Sequence, residues 1–392
     1  MKARRIYFVF LALLLLAYVV IFPRQTGKEL IVTQRWATAL PSLLPSTERT
    51  GAGTGSAQLS QSNPAQVSPY INASAPLGPL HAFRLGNLYG YIDDSGVVHY
   101  FGQAKYGLAL GSRNFINYPQ VPHGLTVENV EGKEIATIDQ NGYPMYVQDH
   151  LFVLSSQGDE ITSCDASGKA LWSKQMGGLI TSADYTDGLT VVGLLSGELD
   201  VFNDKGDKVF QAASGTATMP VILGTSIARG GNRLAVVSGV APQIATIYVR
   251  TDGRFIPVDT RRLATDFRRP VLVQCVSNSS VSVLESNNGV EVVNANNHTS
   301  YHVELPGLMN TIVPDLVQDL VIAGSIEGKP TGNSSTQNQG TSSEAHIVFF
   351  LPDGRPVLHF AFTTDSLSLQ AVGNGILWGA NNAMYRVEFS VG

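Results

Sequence analysis

The sequence predicts an all-β chain built from a repeated unit of short antiparallel strands. Residues 189–210, LTVVGLLSGELDVFNDKGDKVF, hold three strand-like apolar runs separated by glycine-containing turns, and residues 151–172 repeat the phrase. The glycines of the second turn in each unit are Gly96, Gly132, Gly168, Gly206, Gly253 and Gly354. A period of about 40 residues with about four strands per unit is typical of propeller blades. We therefore expect a β-propeller of about seven four-stranded blades, with six or eight as alternatives.

The composition supports a globular chain. Of 392 residues, 44% are hydrophobic and only 15% are charged, which is too little charge for a disordered protein. The net charge of −5 argues against a nucleic-acid partner.

The N-terminus predicts a membrane anchor. Residues 1–5 are basic, and residues 6–22 form an apolar run without a charge. No small-residue cleavage site follows the run, which favours an uncleaved transmembrane signal-anchor over a cleaved signal peptide. No cysteine follows it either, which excludes a bacterial lipoprotein anchor. The basic residues ahead of the span predict a single-pass protein of the inner (cytoplasmic) membrane with a periplasmic C-terminal domain.

A tether follows the anchor in this interpretation. Residues 23–80 are read as a mostly disordered linker, because residues 46–79 are rich in Ser, Gly, Ala, Gln and Pro. Within it, residues 31–44 have some helical character, broken by Pro41. The propeller domain is expected to cover residues 81–392.

The repeat units follow one another through this domain, and its two ends complement each other. The units are placed at residues 88–101, 115–137, 145–174, 180–211, 221–258, 271–305 and 312–362. A polar insertion at 325–344 interrupts the last unit. The first unit offers only two clear strands, while residues 367–389 supply two or three strands without a full unit. We expect the ring to close by sharing one blade between both ends, which removes exposed sheet edges.

The repeated strand-x-x-G-strand-D-x-x-G-strand phrase, as in VLSSQGDEITSCDASGKALW, resembles the quinoprotein-like and WD40-like β-propellers of bacteria. It is most similar to the outer-membrane-assembly lipoprotein type. The domain departs from the enzymes of the class, because Trp172 and Trp378 are its only tryptophans and it has no adjacent cysteine pair. The Gly-His and Trp-Asp markers of WD40 repeats are also missing. The resemblance therefore implies a binding scaffold without a cofactor.

Searches for catalytic and metal motifs favour a non-enzymatic protein. No zinc-protease, nucleophile-elbow or phosphate-loop motif occurs. The stretches 93–96 and 203–207 are interpreted as Asp/Asn turns in preference to calcium loops. His298 and His302 are interpreted as surface histidines, so no metal ligand is assigned.

The two cysteines, Cys164 and Cys275, lie in strand-like runs. Buried free thiols are favoured, and a long-range disulfide stays open because the predicted compartment is oxidising.

An arginine-rich segment is the candidate partner-binding site. The segment contains Arg250, Arg254, Arg261, Arg262, Arg268 and Arg269. Arg261, Arg262, Arg268 and Arg269 flank the expected connection between two blades, and could bind an anionic partner. The competing interpretation is a solvated loop with local ion pairs.

An aromatic group is the second candidate surface, although alternation along strands favours ordinary packing for it. Its members are Tyr89, Tyr91, Tyr100, Phe101, Tyr106, Phe115 and Tyr118.

These observations favour a membrane-tethered, extracytoplasmic propeller that acts as a protein–protein scaffold with a protein partner in the cell envelope. The alternatives are a small-ligand-binding or enzymatic propeller that uses its central channel, and a surface receptor or adhesin.

Overall fold

The computed structural model describes residues 30–43, 68–72, 74–214, 219–277, 279–314, 320–328 and 343–391. These ranges contain eight antiparallel sheets of four strands each, with no helix. The predicted all-β propeller is confirmed, and the blade number is eight, one of the alternatives to the expected seven.

Six blades consist of four consecutive strands each. Their bounds are as follows. The second blade holds β6 (Gly107–Leu110), β7 (Asn114–Tyr118), β8 (Leu125–Asn129) and β9 (Glu134–Ile138). The third holds β10 (Tyr143–Val147), β11 (His150–Leu154), β12 (Glu160–Cys164) and β13 (Ala170–Gln175). The fourth holds β14 (Ile180–Thr186), β15 (Leu189–Leu194), β16 (Glu198–Phe202) and β17 (Lys208–Ala213).

The next three follow the same plan. The fifth blade holds β18 (Ile222–Ile227), β19 (Arg233–Ser238), β20 (Gln243–Thr251) and β21 (Arg254–Leu263). The sixth holds β22 (Val273–Cys275), β23 (Val281–Ser286), β24 (Gly289–Asn294) and β25 (Thr299–Glu304). The seventh holds β26 (Leu308–Val313), β27 (Val321–Glu327), β28 (Glu344–Phe350) and β29 (Pro356–Thr363). First strands of neighbouring blades contact one another, as β14 with β18 and β18 with β22, so the first strands lie innermost.

The first and eighth blades each borrow a strand from upstream in the chain. The first pairs β3 (Leu80–Leu85), β4 (Leu88–Asp93) and β5 (Val98–Gln103) with β2 (Tyr70–Ile71) at its edge. The eighth pairs β30 (Ser368–Val372), β31 (Gly375–Ala380) and β32 (Ala383–Val391) with β1 (Leu30–Ala39). The expected closure between the two ends is thus confirmed.

This closure corrects two predictions. The linker assigned to 23–80 contains β1 and β2, which belong to the propeller, and the helical character assigned to 31–44 is wrong because 30–39 is a strand. Backbone pairing with β32, from Leu30 opposite Val391 to Ala39 opposite Ala383, decides the conformation here. It also explains the blade number, because β1 turns the residual C-terminal strands into a complete eighth blade.

The predicted anchor at 6–22 and the basic segment 1–5 lie outside the described residues. The described ranges contain no helix with the length and apolarity that crossing a bilayer requires. The inner portion of the predicted insertion, 329–342, also lies outside them, while its two ends belong to β27 and β28.

In the second, third and fourth blades, the turns between the third and fourth strands share one hydrogen-bond pattern. Asn129, Asp165 and Asn203 each accept, at side-chain Oδ1, the backbone N–H groups two and four residues ahead. The glycine that closes the turn has a positive φ, as at Gly168 (+79°) and Gly206 (+80°). These bonds fit the interpretation of the Asp/Asn stretches as turns.

The core lies between neighbouring blades. The aromatic group confirms the packing interpretation, because Tyr89, Tyr91, Tyr100 and Phe115 form one buried cluster between the first two blades. Tyr106 is the exception, with 61% of its surface exposed. Both cysteines are free and buried, as favoured.

Candidate partner-binding surface

The arginine-rich segment divides between the two ends of the fifth blade's outer hairpin. Arg250 and Arg254 flank the tight turn between β20 and β21, whereas Arg268 and Arg269 lie in the connection that follows β21. The ten residues of β21 extend about 30 Å at ~3.3 Å per residue, so the two groups lie on opposite faces of the propeller. The single cluster expected from the sequence is therefore two separate clusters.

The connection from β21 to β22 continues the alternation of the strand. Leu263 and Thr265 are buried, and Phe267 packs against the apolar core between blades. The residues on either side of these anchors and between them are exposed to solvent, namely Arg262, Ala264, Asp266 and Arg268. The period of two thus places apolar anchors inward and arginines outward.

Buried polar side chains fix the backbone of this connection. Gln243 is fully buried, and its Nε2 donates to the Phe267 carbonyl at 2.6 Å, while the Thr265 hydroxyl donates to its Oε1. From the sixth blade, Asn287 Nδ2 donates to the Ala264 carbonyl at 3.0 Å. Because side chains of both adjoining blades satisfy the backbone, the connection is an ordered surface element.

Arg269 is part of this support. Its guanidinium pairs with the two carboxylate oxygens of Glu285 at 2.6 and 3.2 Å, and lies 4.6 Å from the centre of the Phe267 ring. Glu285 is 2% exposed and also accepts the Leu272 backbone N–H at 2.9 Å. Hydrogen bonds with Glu285 outweigh burial and raise the pKa of Arg269. Arg269 is therefore committed to holding the connection against the sixth blade.

The side chain of Arg261 also has an ion-pair partner. Arg261 lies on β21 with its side chain 18% exposed, and it pairs with Asp259. By contrast, the side chains of Arg262 and Arg268 make no hydrogen bond or ion pair within the described part of the chain, although the backbone of Arg262 pairs with Ile244 in the β20–β21 ladder. The structure therefore separates the four predicted arginines into two that support the fold and two that face solvent with unpaired charge.

The two histidines that the sequence analysis interpreted as surface residues are His298 and His302. Their side chains are 65% and 38% exposed. Each lies near one carboxylate, Asp259 at 3.9 Å and Glu291 at 3.7 Å. Their surface positions agree with the sequence interpretation.

Comparison with known proteins identifies the family. A family model described as "beta-propeller protein" matches residues 1–322. The chain belongs to this β-propeller family. It is 24% identical over 293 residues to an uncharacterized protein of Treponema pallidum (strain Nichols), covering 74% of this chain and 73% of that protein. The crystal structure of BamB from Moraxella catarrhalis superposes with a TM-score of 0.55 at 13% identity, covering 83% of this chain and 99% of that one. The second likeness shows the fold alone.

Sequence reasoning missed the residues that order the arginine surface of this β-propeller protein. Gln243 lies in the fifth repeat unit, whereas Glu285 and Asn287 lie in the sixth, and no single repeat motif connects the two stretches. The available signal was the pair Glu285 and Asn287 beside the turn between β23 and β24, where a polar group next to a buried strand requires a partner.

Proposed function

We propose that this chain is a membrane-tethered, extracytoplasmic β-propeller that acts as a non-enzymatic protein–protein scaffold in the cell envelope. The tethering rests on the basic segment 1–5 and the apolar run 6–22 of the sequence. The contact surface in this proposal is the connection between β21 and β22, and its partner is an acidic protein segment.

One observation carries the assignment of the surface. Arg262 and Arg268 project from a backbone that Gln243, Asn287 and the Arg269–Glu285 pair hold in place. An ordered surface loses little conformational entropy on binding, and exposed guanidinium groups suit bidentate contact with carboxylates. The two exposed guanidinium groups outnumber the one exposed carboxylate between them, Asp266, and so favour an acidic partner.

The test uses the full-length chain crosslinked in intact membranes. We expect a discrete adduct with wild-type protein and its loss in the double variant Arg262→Ala/Arg268→Ala. Two exposed interfacial ion pairs at about 0.7 kcal/mol each correspond to about tenfold weaker binding. Binding should also weaken as ionic strength rises.

The matched control is Arg250→Ala/Arg254→Ala, which removes two arginines of the same blade on the opposite face. It should leave the adduct intact. If wild-type protein gives no discrete adduct, the scaffold proposal is wrong. An adduct that survives the first double variant rejects this surface.

A further inference from the structure

The seventh blade carries a cluster of two glutamates and a histidine outside the arginine surface. In the register of β27 and β28, Glu327 lies directly opposite Glu344, and Ser325 lies opposite His346. Since side chains of a strand alternate, these residues share one face of the sheet. Two like charges directly opposite each other destabilise a sheet, so a positively charged group between the two carboxylates would stabilise this one.

His346 is buried without a hydrogen-bond partner in the described residues. Its side chain is 90% covered, and both ring nitrogens are shielded from solvent and have no hydrogen-bond partner in the described residues. The Ser325 hydroxyl, its neighbour in the register, donates instead to the Pro306 carbonyl. The nearest carboxylate oxygen, Glu327 Oε2, is 3.5 Å from Nε2, which is too long for a good hydrogen bond. A buried imidazole in this state lacks the partner that protein interiors nearly always supply.

The three side chains converge as metal ligands do. One ligand atom from each of Glu327, Glu344 and His346 lies within 4.8 Å of the other two. Ligand atoms of a tetrahedral Zn²⁺, at about 2.0–2.2 Å from the ion, are about 3.3–3.6 Å apart. Glu327 is 52% exposed, so its carboxylate can close the remaining distance by a side-chain rotation that disturbs no core contact.

We propose that Glu327, Glu344 and His346 form a Zn²⁺ site with three protein ligands and a fourth position for water. The imidazole favours Zn²⁺ over Ca²⁺ and Mg²⁺, which prefer oxygen ligands alone. The ion neutralises the opposed carboxylates and supplies the missing partner of His346. It also ties the ends of β27 and β28 together, so binding stabilises the seventh blade.

The sixth blade provides a matched control. His302 lies 3.7 Å from Glu291 on the neighbouring strand, a His–Glu pair without a third ligand in the described residues. His302→Gln therefore removes an imidazole that lies near a glutamate of the neighbouring strand, in another blade, without touching the site.

The experiment is calorimetric titration of Zn²⁺ into the metal-stripped full-length chain. We expect one ion per chain, at least tenfold weaker binding in Glu327→Gln, a greater loss in His346→Gln, and no change in His302→Gln. Glu327→Gln alters an exposed side chain and removes one of the two opposed charges, so its metal-free melting temperature should be no lower than that of wild type, and misfolding does not explain its effect. Failure of the wild-type chain to bind Zn²⁺, or equal affinity in wild type and Glu327→Gln, overturns the site.

Discussion

Replacing Asp93 by asparagine should cost about 3 kcal/mol of unfolding free energy. Asp93 ends β4, is 1% exposed and is a five-fold acceptor. Its Oδ1 accepts three hydrogen bonds, from the backbone N–H and hydroxyl of Ser95 and from the backbone N–H of Val97. Its Oδ2 accepts two, from the backbone N–H of Leu77 at 3.0 Å and from His99 Nε2 at 2.9 Å. Asparagine retains the first oxygen but places an amide NH₂ at the second. Two charge-assisted bonds at about 1.5 kcal/mol each are then lost.

The effect depends on pH with a defined sign. Burial alone would raise the pKa of Asp93, but hydrogen bonds from Ser95, His99, Leu77 and Val97 outweigh it and hold the pKa well below the ordinary 3.8. A carboxyl whose folded pKa is depressed stabilises the fold fully above its unfolded pKa, and that contribution disappears as pH falls through the folded value. The difference between wild type and Asp93→Asn should therefore narrow below pH 3.8.

Urea denaturation of the full chain, followed by circular dichroism at neutral and acidic pH, measures the loss of unfolding free energy in Asp93→Asn and its dependence on pH. Asp165→Asn is the matched control, because Asp165 uses Oδ1 alone for its bonds from Ser167 and Lys169, and asparagine preserves that oxygen. Asp165→Asn should lower the unfolding free energy by less than about 1 kcal/mol. Equal costs for the two variants, or a difference that widens in acid, would refute the reasoning.

Two further predictions concern ring closure and the thiols. Trp36→Ala should lower unfolding free energy by about 2 kcal/mol in thermal denaturation, because Trp36 Nε1 donates to the Asp94 carbonyl at 2.8 Å and its partly buried ring packs on the first blade. The control, Arg35→Ala, removes an exposed ion pair and should cost under about 0.5 kcal/mol; matching losses would contradict a packing role for β1. Burial raises the pKa of Cys164 to about 11 and also raises that of Cys275. Both thiols should resist Ellman's reagent in the native protein and react in urea without reductant, whereas no reaction in urea would indicate a disulfide.

The propeller was predictable because its turn chemistry is local. Asp165 and Gly168 specify one turn through a side-chain acceptor and a positive φ of 79°, and both requirements are visible within four letters. The repetition of such turns then indicates blades without knowledge of any distant contact.

The strand β1 was not predictable from its own residues. Most side chains of β1 are exposed, and Trp36 and Thr38 are only half-buried, so the strand has little alternation to read. Its pairing partner is at the other end of the chain, as the Arg35–Glu388 ion pair shows across 353 residues. Local propensity cannot report a hydrogen-bond ladder of that separation.

The arginine surface was predictable in part. The sequence placed Arg262 and Arg268 on the two sides of an inter-blade connection, 263–267, and both are exposed in the structure. It could not assign Arg269 to Glu285, because that pair forms only when two blades pack side by side. Distinguishing an arginine that is free to bind a partner from one that supports the fold therefore required the structure.

Ring closure by β1 also sets the order of events during synthesis. The partner of β1 is β32, residues 383–391, so the first strand in the described part of the chain must wait for the last one there. Throughout elongation β1 has no ladder to join, and its unpaired backbone groups are open to mispairing. Closure must then overcome the entropy of a loop of more than 350 residues, which makes it a late and slow step of folding.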